Sequence, residues 1–484
     1  MFIEKREAVI QPPKGLVVAA THSGAGKTTL TLGLMAALRR RGLAVAPFKV
    51  GPDFIDPGHH TVVAGRESRN LDGWMLDRAA NQAIFQRHTQ GCDVAVVEGV
   101  MGLFDGFSGT DEAGSTAQMA KWLGLPVLLV VNAASMARSA AALVQGFEGF
   151  DPGLRFAGLV FNNLGSDTHL RYLKDAVDAH VKMPLMGGLL RNDQLEMPER
   201  HLGLTTADDH PLTEKQLDLL ADHIEAGVDL DRLLETLPEI RATSEKPQST
   251  DRLSADRPAP IRARLGIARD RAFCFYYADN LDLLAAAGLE LVPFSPLEDR
   301  HLPEDLDGIY FGGGYPELHA DRLAQNQGMR EAIYRCSRKG MPIYAECGGF
   351  MYLCRDLRDT ENRVHPMCNC FAFRSRMHPR LRTLGYREVC FERDSILGKT
   401  GQVVRGHEFH YSDLDDAAAD REAIPAYSAI SRRNDGRKSE GYLVNRTLGS
   451  YIHLHFQSLP ACARSFADAC RKYRKSRRAA DEAQ

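Results

Sequence analysis

The stretch GLVVAATHSGAGKTTLTLGLMAALRRRG, residues 15–42, decides how the first half of this chain is read. It opens with a short apolar run of strand length and closes with apolar residues at helical spacing, stopped by Gly42. Between them lies Ser23-Gly24-Ala25-Gly26-Lys27-Thr28-Thr29, the turn of a strand–loop–helix unit. Such a turn suits phosphate. Glycines let backbone N–H groups point inward, the helix N-terminus favours negative charge, and Lys27 can neutralise β- and γ-phosphate oxygens. Thr28 offers a hydroxyl to Mg²⁺. The general pattern G-x-x-x-x-G-K-[ST] wants glycine at position 21, where Thr21 stands. That exchange alters the loop entrance and removes none of the phosphate-binding groups, so the expectation is ATP held by residues 23–29.

The same rhythm continues outward. LAVAPF (43–48), DVAVVE (93–98), PVLLVV (126–131) and RFAGLVF (155–161) read as further buried parallel strands, with helical patterns such as STAQMAKWLG between them. Repeated strand–helix units imply a doubly wound α/β domain over residues 1–240. Residues 241–262, RATSEKPQSTDRLSADRPAPIR, are rich in Ser, Pro and charge without apolar period, and read as a linker. Beyond it RLGIA, LELVPF, DGIYFGGG and MPIYAEC restore the α/β alternation, giving a second domain over 263–475. The basic-then-acidic end, residues 476–484, is expected to be a disordered, solvated tail.

Composition bounds the function. A chain of 484 residues with 44% hydrophobic and 25% charged content is a multidomain globular protein. A net charge of −3 supplies no field for gathering nucleic acid or anionic lipid. No apolar run reaches the roughly 18 residues of a membrane span, and MFIEKREAVIQPPKG is no signal peptide, so a cytoplasmic location is expected. The ten cysteines have no repeating spacing and read as reduced thiols. The tightest pair, Cys368 and Cys370 near His365, lacks the second ligand pair that zinc would want.

Mg²⁺ needs further oxygen ligands. Glu98 ends the strand DVAVVE, at the carboxyl edge where ligands of such sheets gather. Asp53 and Asp56 in KVGPDFIDPGHH, and Asp105 in EGVMGLFDG, follow strands on the same edge. In the second half, MPIYAECGGFMYL places Cys347 between a strand and a helix beginning at Gly348-Gly349, the arrangement of a nucleophile elbow. A helix N-terminus there favours the thiolate. A base is needed to activate it, and GSYIHLHF offers His453 and His455 on one face of a strand. DGIYFGGGYPE supplies amides at Gly313 and Gly314 for an oxyanion hole.

SGAGKTT, FKVGPDFIDPGHH, SRNLDGWML and VVEGVMGLFDG together resemble the N-terminal half of the cobyrinate a,c-diamide synthases, a domain similar to dethiobiotin synthetase. YAECGGFMYL, GYREV, RGHEFHYSD and GSYIHLHF resemble the family's C-terminal half, a flavodoxin-like class I glutaminase, so the resemblance covers nearly the whole chain. It implies glutamine-dependent amidation of the a and c acetates of a corrin, driven by two ATP through an acyl phosphate. Lys27 and the loop amides would then hold ATP, and Thr28, Asp53 and Glu98 would hold Mg²⁺. Asp56 and Asp105 would position or activate the substrate carboxylate, with Asn70 and Asp72 either touching substrate or shaping a turn. His453 matches the class I catalytic histidine. Those enzymes commonly carry Glu two residues later, where His455 stands, so a Cys347–His453 dyad is implied and what orients His453 is left open. His407 and His410 would line the glutamine pocket, contact the macrocycle or serve as structural hydrogen-bonders. The implied partners are small molecules (a tetrapyrrole polycarboxylate, glutamine and ATP), and an oligomer is left open, as is an enclosed path for ammonia. Hydrogenobyrinate and nickel-sirohydrochlorin stay open as substrates, cobyrate synthase as a sister activity, and a partitioning-type ATPase as the rival class, although His22 stands where such ATPases often place a second lysine.

Overall fold

Strands that are apolar on both faces must be covered on both faces, and in this computed structural model they are. It describes residues 12–195, 199–200, 203–204, 206–207, 209, 211–240, 263–415, 422–431 and 436–482; the expected linker at 241–262 lies outside the described residues. The chain divides into two compact units, residues 1–249 and 250–484.

In the first unit the strands are β1 (Lys14–Ala20), β2 (Val45–Val50), β3 (Arg69–Leu71), β4 (Val94–Glu98), β5 (Val127–Asn132), β6 (Phe156–Leu164) and β7 (Leu185–Leu190). They form one parallel sheet in the order β3-β2-β4-β1-β5-β6-β7. The five strands read from the sequence are joined by β3 and β7. Helices α1 (Lys27–Arg40) and α2 (Ile55–Ala64) leave the carboxyl ends of β1 and β2. Helix α1 packs closely on the helix Glu214–Gly227: a methyl on Gly33 would lie 2.5 Å from the Ile224 side chain.

The second unit is built on a ten-stranded sheet. Five strands are parallel, in the order Leu289–Phe294, Ala263–Ala268, Gly308–Phe311, Ile343–Glu346 and Thr447–Ser450. The other five, Arg437–Val444, Ile424–Ser431, Thr383–Phe391, Val403–His410 and His453–Leu454, continue it antiparallel. The flavodoxin-like expectation therefore describes the parallel half, and the antiparallel half is an addition. His453 follows Ser450 by three residues, a span of roughly 10 Å. The antiparallel half therefore curls back, and its last strand returns to the sheet's middle.

One expectation is overturned outright. Residues 476–482 are not a disordered tail but the end of a 22-residue helix, Ala461–Glu482. Its apolar side buries Cys462, Phe466, Ala467 and Cys470. Of its basic residues Arg477 is pinned, bonding Asp305 at 2.7 Å and the fully buried Asp307 at 3.1 Å. Among the described residues no helix is long and apolar enough to cross a membrane.

Candidate active sites

In the first unit β1 runs into the loop at 21–26, and Gly26 takes φ +96° to turn the chain into α1. A side chain at Gly26 would meet Asn162 Nδ2 at 2.0 Å, because Asn162 reaches over from β6 to donate to the Ala25 carbonyl at 3.0 Å. Lys27 is buried, and its Nζ donates to the carbonyls of Met101 and His22. Burial, and then the charge of Lys49, lower its pKa. Thr28 donates to Glu98 Oε1 at 2.7 Å.

Glu98 is the node of this site. Sheet register sets it beside Lys49 of β2, and residues in register project to the same face. Lys49 Nζ lies 2.9 Å from Glu98 Oε1 and 3.7 Å from Asp53 Oδ2, and also bonds Asp56. His60, one helical turn beyond Asp56 on α2, donates Nε2–H to Glu98 Oε2 at 2.6 Å. Burial by itself would raise the Glu98 carboxyl, but Lys49, His60 and Thr28 hold it well below the carboxylate range. Burial alone would lower Lys49; the Glu98, Asp56 and Asp53 carboxylates raise it instead. Burial, Asp53 and Glu98 push Asp56 upward, so the cluster's surplus negative charge is relieved there. The donor set of Thr28, Asp53 and Glu98 is all oxygen, which suits a hard divalent cation, and an ammonium already sits among those oxygens.

In the second unit the strand Ile343–Glu346 ends at Cys347, which takes φ +45° and ψ −105° before the helix Gly348–Leu353 begins. A non-glycine there stores on the order of 1–3 kcal/mol of strain. The following glycines are required by close approach: a methyl on Gly348 would lie 2.8 Å from the Gly314 carbonyl, and one on Gly349 2.6 Å from that of Gly312. Cys347 Sγ donates to the Phe409 carbonyl at 3.8 Å, and the Gly348 amide faces the sulfur. Burial, reinforced by the Glu317 charge, pushes the thiol far up despite that amide. The expected helix effect on the thiolate is thus outweighed by desolvation, and the resting group is a thiol. The buried His453 ring stacks on His407 with centroids 4.9 Å apart, and its Cε1 corner abuts Gly313.

Residues 16–204 match the family described as CobQ/CobB/MinD/ParA nucleotide binding domain, and residues 264–461 the CobB/CobQ-like glutamine amidotransferase domain. The cobyrinate a,c-diamide synthase of Syntrophotalea carbinolica is 46% identical over 456 residues, covering 94% of this chain and 98% of its own. The chain belongs to the cobyrinate a,c-diamide synthase family. Family members named the same way in a Synechococcus species and in Priestia megaterium are 44% and 40% identical, covering 94% and 96% of this chain and 98% of each of theirs.

The residues that this family resemblance singled out have differing surroundings in the structure. Asn70 and Asp72 are buried framework. Asn70 donates to the carbonyls of Gly51 and Asp53, and Asp72 accepts from the amides of Trp74 and Met75. Asn70 thus holds the loop that carries Asp53, and Asp72 shapes the turn at Trp74. Gly313 spends its amide on the Phe275 carbonyl at 3.1 Å, whereas the Gly348 amide interacts with the sulfur. Gly314 remains beside the elbow. His410 has both nitrogens engaged, by the Ser412 carbonyl and by Glu408. His407 bonds the Tyr277 hydroxyl at 2.7 Å and backs the His453 ring. Asp105 is exposed on its loop and accepts from the Gly102 amide at 2.8 Å. Cys368 and Cys370 are buried free thiols. Sequence reasoning missed Lys49, His60 and Glu346. Lys49 had a signal, a lone charge inside a wholly buried strand. So did His60, at i+4 from Asp56.

Proposed function

We propose that this protein amidates the a and c acetate carboxylates of cobyrinate, using glutamine and ATP, in cobalamin biosynthesis. The observation that carries the reading is the pairing, in one chain, of a phosphate loop fronted by a cation–carboxylate cluster with a strained cysteine elbow beside a histidine. A carboxylate resists ammonia until one of its oxygens becomes a leaving group. Lys27 and the amides of residues 23–29 hold the ATP phosphates in line with the acetate. An acetate oxygen attacks the γ-phosphorus, the bond to the β-phosphate oxygen breaks, and ADP leaves an acyl phosphate. Mg²⁺ held by Thr28, Asp53 and Glu98 would supply Lewis-acid stabilisation of the transferring phosphoryl group. Lys49 adds a fixed positive charge behind it, and Asp56 and Asp105 orient the acetate.

Nitrogen comes from the second unit. The Cys347 thiol gives its proton to His453 Nε2 as sulfur attacks the glutamine amide carbon. His453 returns that proton to the departing ammonia, and water then cleaves the thioester to glutamate. The Gly348 amide, with Gly314 beside it, supports the oxyanion. Ammonia attacks the acyl phosphate carbonyl and phosphate leaves, which completes the amide. The test is Cys347→Ser assayed with each nitrogen source. Glutamine-dependent amidation should vanish while ammonium salts at high pH still support it; retention of the glutamine rate would refute the division of labour.

A further inference from the structure

Three imidazoles cluster around Tyr277 and the strand that carries His453, and they are not equivalent. His407 is tied to the Tyr277 hydroxyl, and burial pushes it well down. His455 is fully buried with its ring 4.5 Å from that of Tyr277, its nitrogens have no hydrogen-bond partner among the described residues, and burial pushes it down to about 3. A neutral, unpartnered imidazole at the second position after His453 cannot balance an imidazolium. His453 itself faces a carboxylate: its Nδ1 lies 3.5 Å from Glu346 Oε2, both side chains being almost wholly buried.

Glu346 is the residue immediately before the nucleophile. Its Oε1 accepts from the Tyr344 hydroxyl at 2.7 Å and from the Leu454 amide at 3.1 Å, and its Oε2 accepts from the Tyr310 hydroxyl at 3.0 Å. These neutral donors fix the carboxylate in place but do not neutralise it, and a buried carboxylate is costly without a charged partner. The Leu454 bond also ties the histidine strand to the nucleophile strand. The Cε1 corner of the His453 ring abuts Gly313. At 3.5 Å the Nδ1–Oε2 approach is an ion-pair separation and not a formed hydrogen bond, and catalytic contacts of this kind commonly tighten only when substrate binds.

We propose that Glu346 is the positioning residue of the thiol site: it accepts Nδ1–H of His453, keeps Nε2 as the nitrogen that takes the Cys347 proton, and balances the imidazolium. The acid thus comes from the residue before the nucleophile rather than from the second residue after the histidine. This rests on reading Cys347 and His453 as a glutaminase pair.

The test compares full-length Glu346→Gln and Glu346→Asp with wild type and Cys347→Ser, using glutamine and ammonium as nitrogen sources. Glu346→Gln is expected to lower glutamine-dependent kcat by on the order of 10²-fold or more, with glutamine KM within about threefold and the ammonium rate within about twofold. Glu346→Asp, which keeps the charge, should recover roughly a tenth of the wild-type rate or better. If Cys347→Ser keeps the glutamine rate, the glutaminase reading fails and takes the proposal with it. If Cys347→Ser loses that rate while Glu346→Gln keeps more than about a third of it, the proposal alone is overturned. Should Glu346→Gln lose both nitrogen sources together, ¹⁵N spectra of histidine-labelled wild type, assigned with His453→Gln, decide: an Nδ1–H tautomer at His453 supports the proposal, and an Nε2–H tautomer overturns it.

Discussion

Replacing Lys49 with methionine keeps most of the buried stem and removes the one ammonium among Asp53, Asp56 and Glu98. At an effective dielectric of about 20, unit charges at the 2.9 Å and 3.7 Å separations from Glu98 and Asp53 attract by about 6 and about 4 kcal/mol. Desolvation of the ammonium offsets several kcal/mol of that sum, and breaking such buried networks by removing one partner costs about 3–5 kcal/mol. We therefore expect Lys49→Met to destabilise the first unit by about 3–5 kcal/mol in chelator. Mg²⁺ bound among Asp53 and Glu98 would place positive charge there and, bound with ATP to the folded state, should restore about half or more of the loss. The assay is urea unfolding followed by tryptophan fluorescence. Trp74 and Trp122 are the only two tryptophans in the chain and both lie in the first unit, so the signal follows that unit alone. A variant within about 1 kcal/mol of wild type in chelator, or one equally weakened with and without Mg²⁺, would refute this account of Lys49.

Further outcomes follow from single residues. Gly26→Ala should weaken ATP binding by tenfold or more in calorimetric titration, since φ +96° and the contact with Asn162 at 2.0 Å together add about 1–3 kcal/mol of strain to the loop. Removing Arg474 and Arg477 together should destabilise the second unit by about 2–4 kcal/mol in thermal melts followed by circular dichroism, because Asp307 is left buried and unpaired. Alkylation of Cys347 by iodoacetamide, read by mass spectrometry, should keep rising with pH up to about pH 9 without a plateau, because burial holds the ligand-free thiol protonated.

The sequence made the parallel layers legible because strands buried on both faces are written as unbroken apolar runs, as in Val94–Glu98. Strand β3 was hidden by its length, Arg69-Asn70-Leu71, and β7 by Gly187 and Gly188 in its middle. Apart from the strand that carries His453, the antiparallel half of the second sheet was invisible for another reason. A strand such as Thr383–Phe391 is half-buried and carries Arg387 and Glu388, so it has no clean alternation. The terminal helix was misread because a basic run looks solvated until Asp305 and Asp307, far away in sequence, meet it. Of the sites, the phosphate loop and the cysteine elbow stand in contiguous motifs. Lys49 and Glu98 meet only through strand register, and Glu346 meets His453 only because the second sheet curls back.

The central claim is that one chain couples glutamine hydrolysis to ATP-driven amidation of a tetrapyrrole acetate. The most direct measurement incubates the purified protein with cobyrinate, ATP, Mg²⁺ and glutamine, and resolves mono- and diamide by mass alongside ADP and glutamate. The account predicts the a,c-diamide, with one ADP and one glutamate for each amide formed, and no amide from glutamine in either Lys27→Ala or Cys347→Ser. ATP hydrolysis without amidation of any tetrapyrrole, or glutamine-dependent amide from Cys347→Ser, would contradict it.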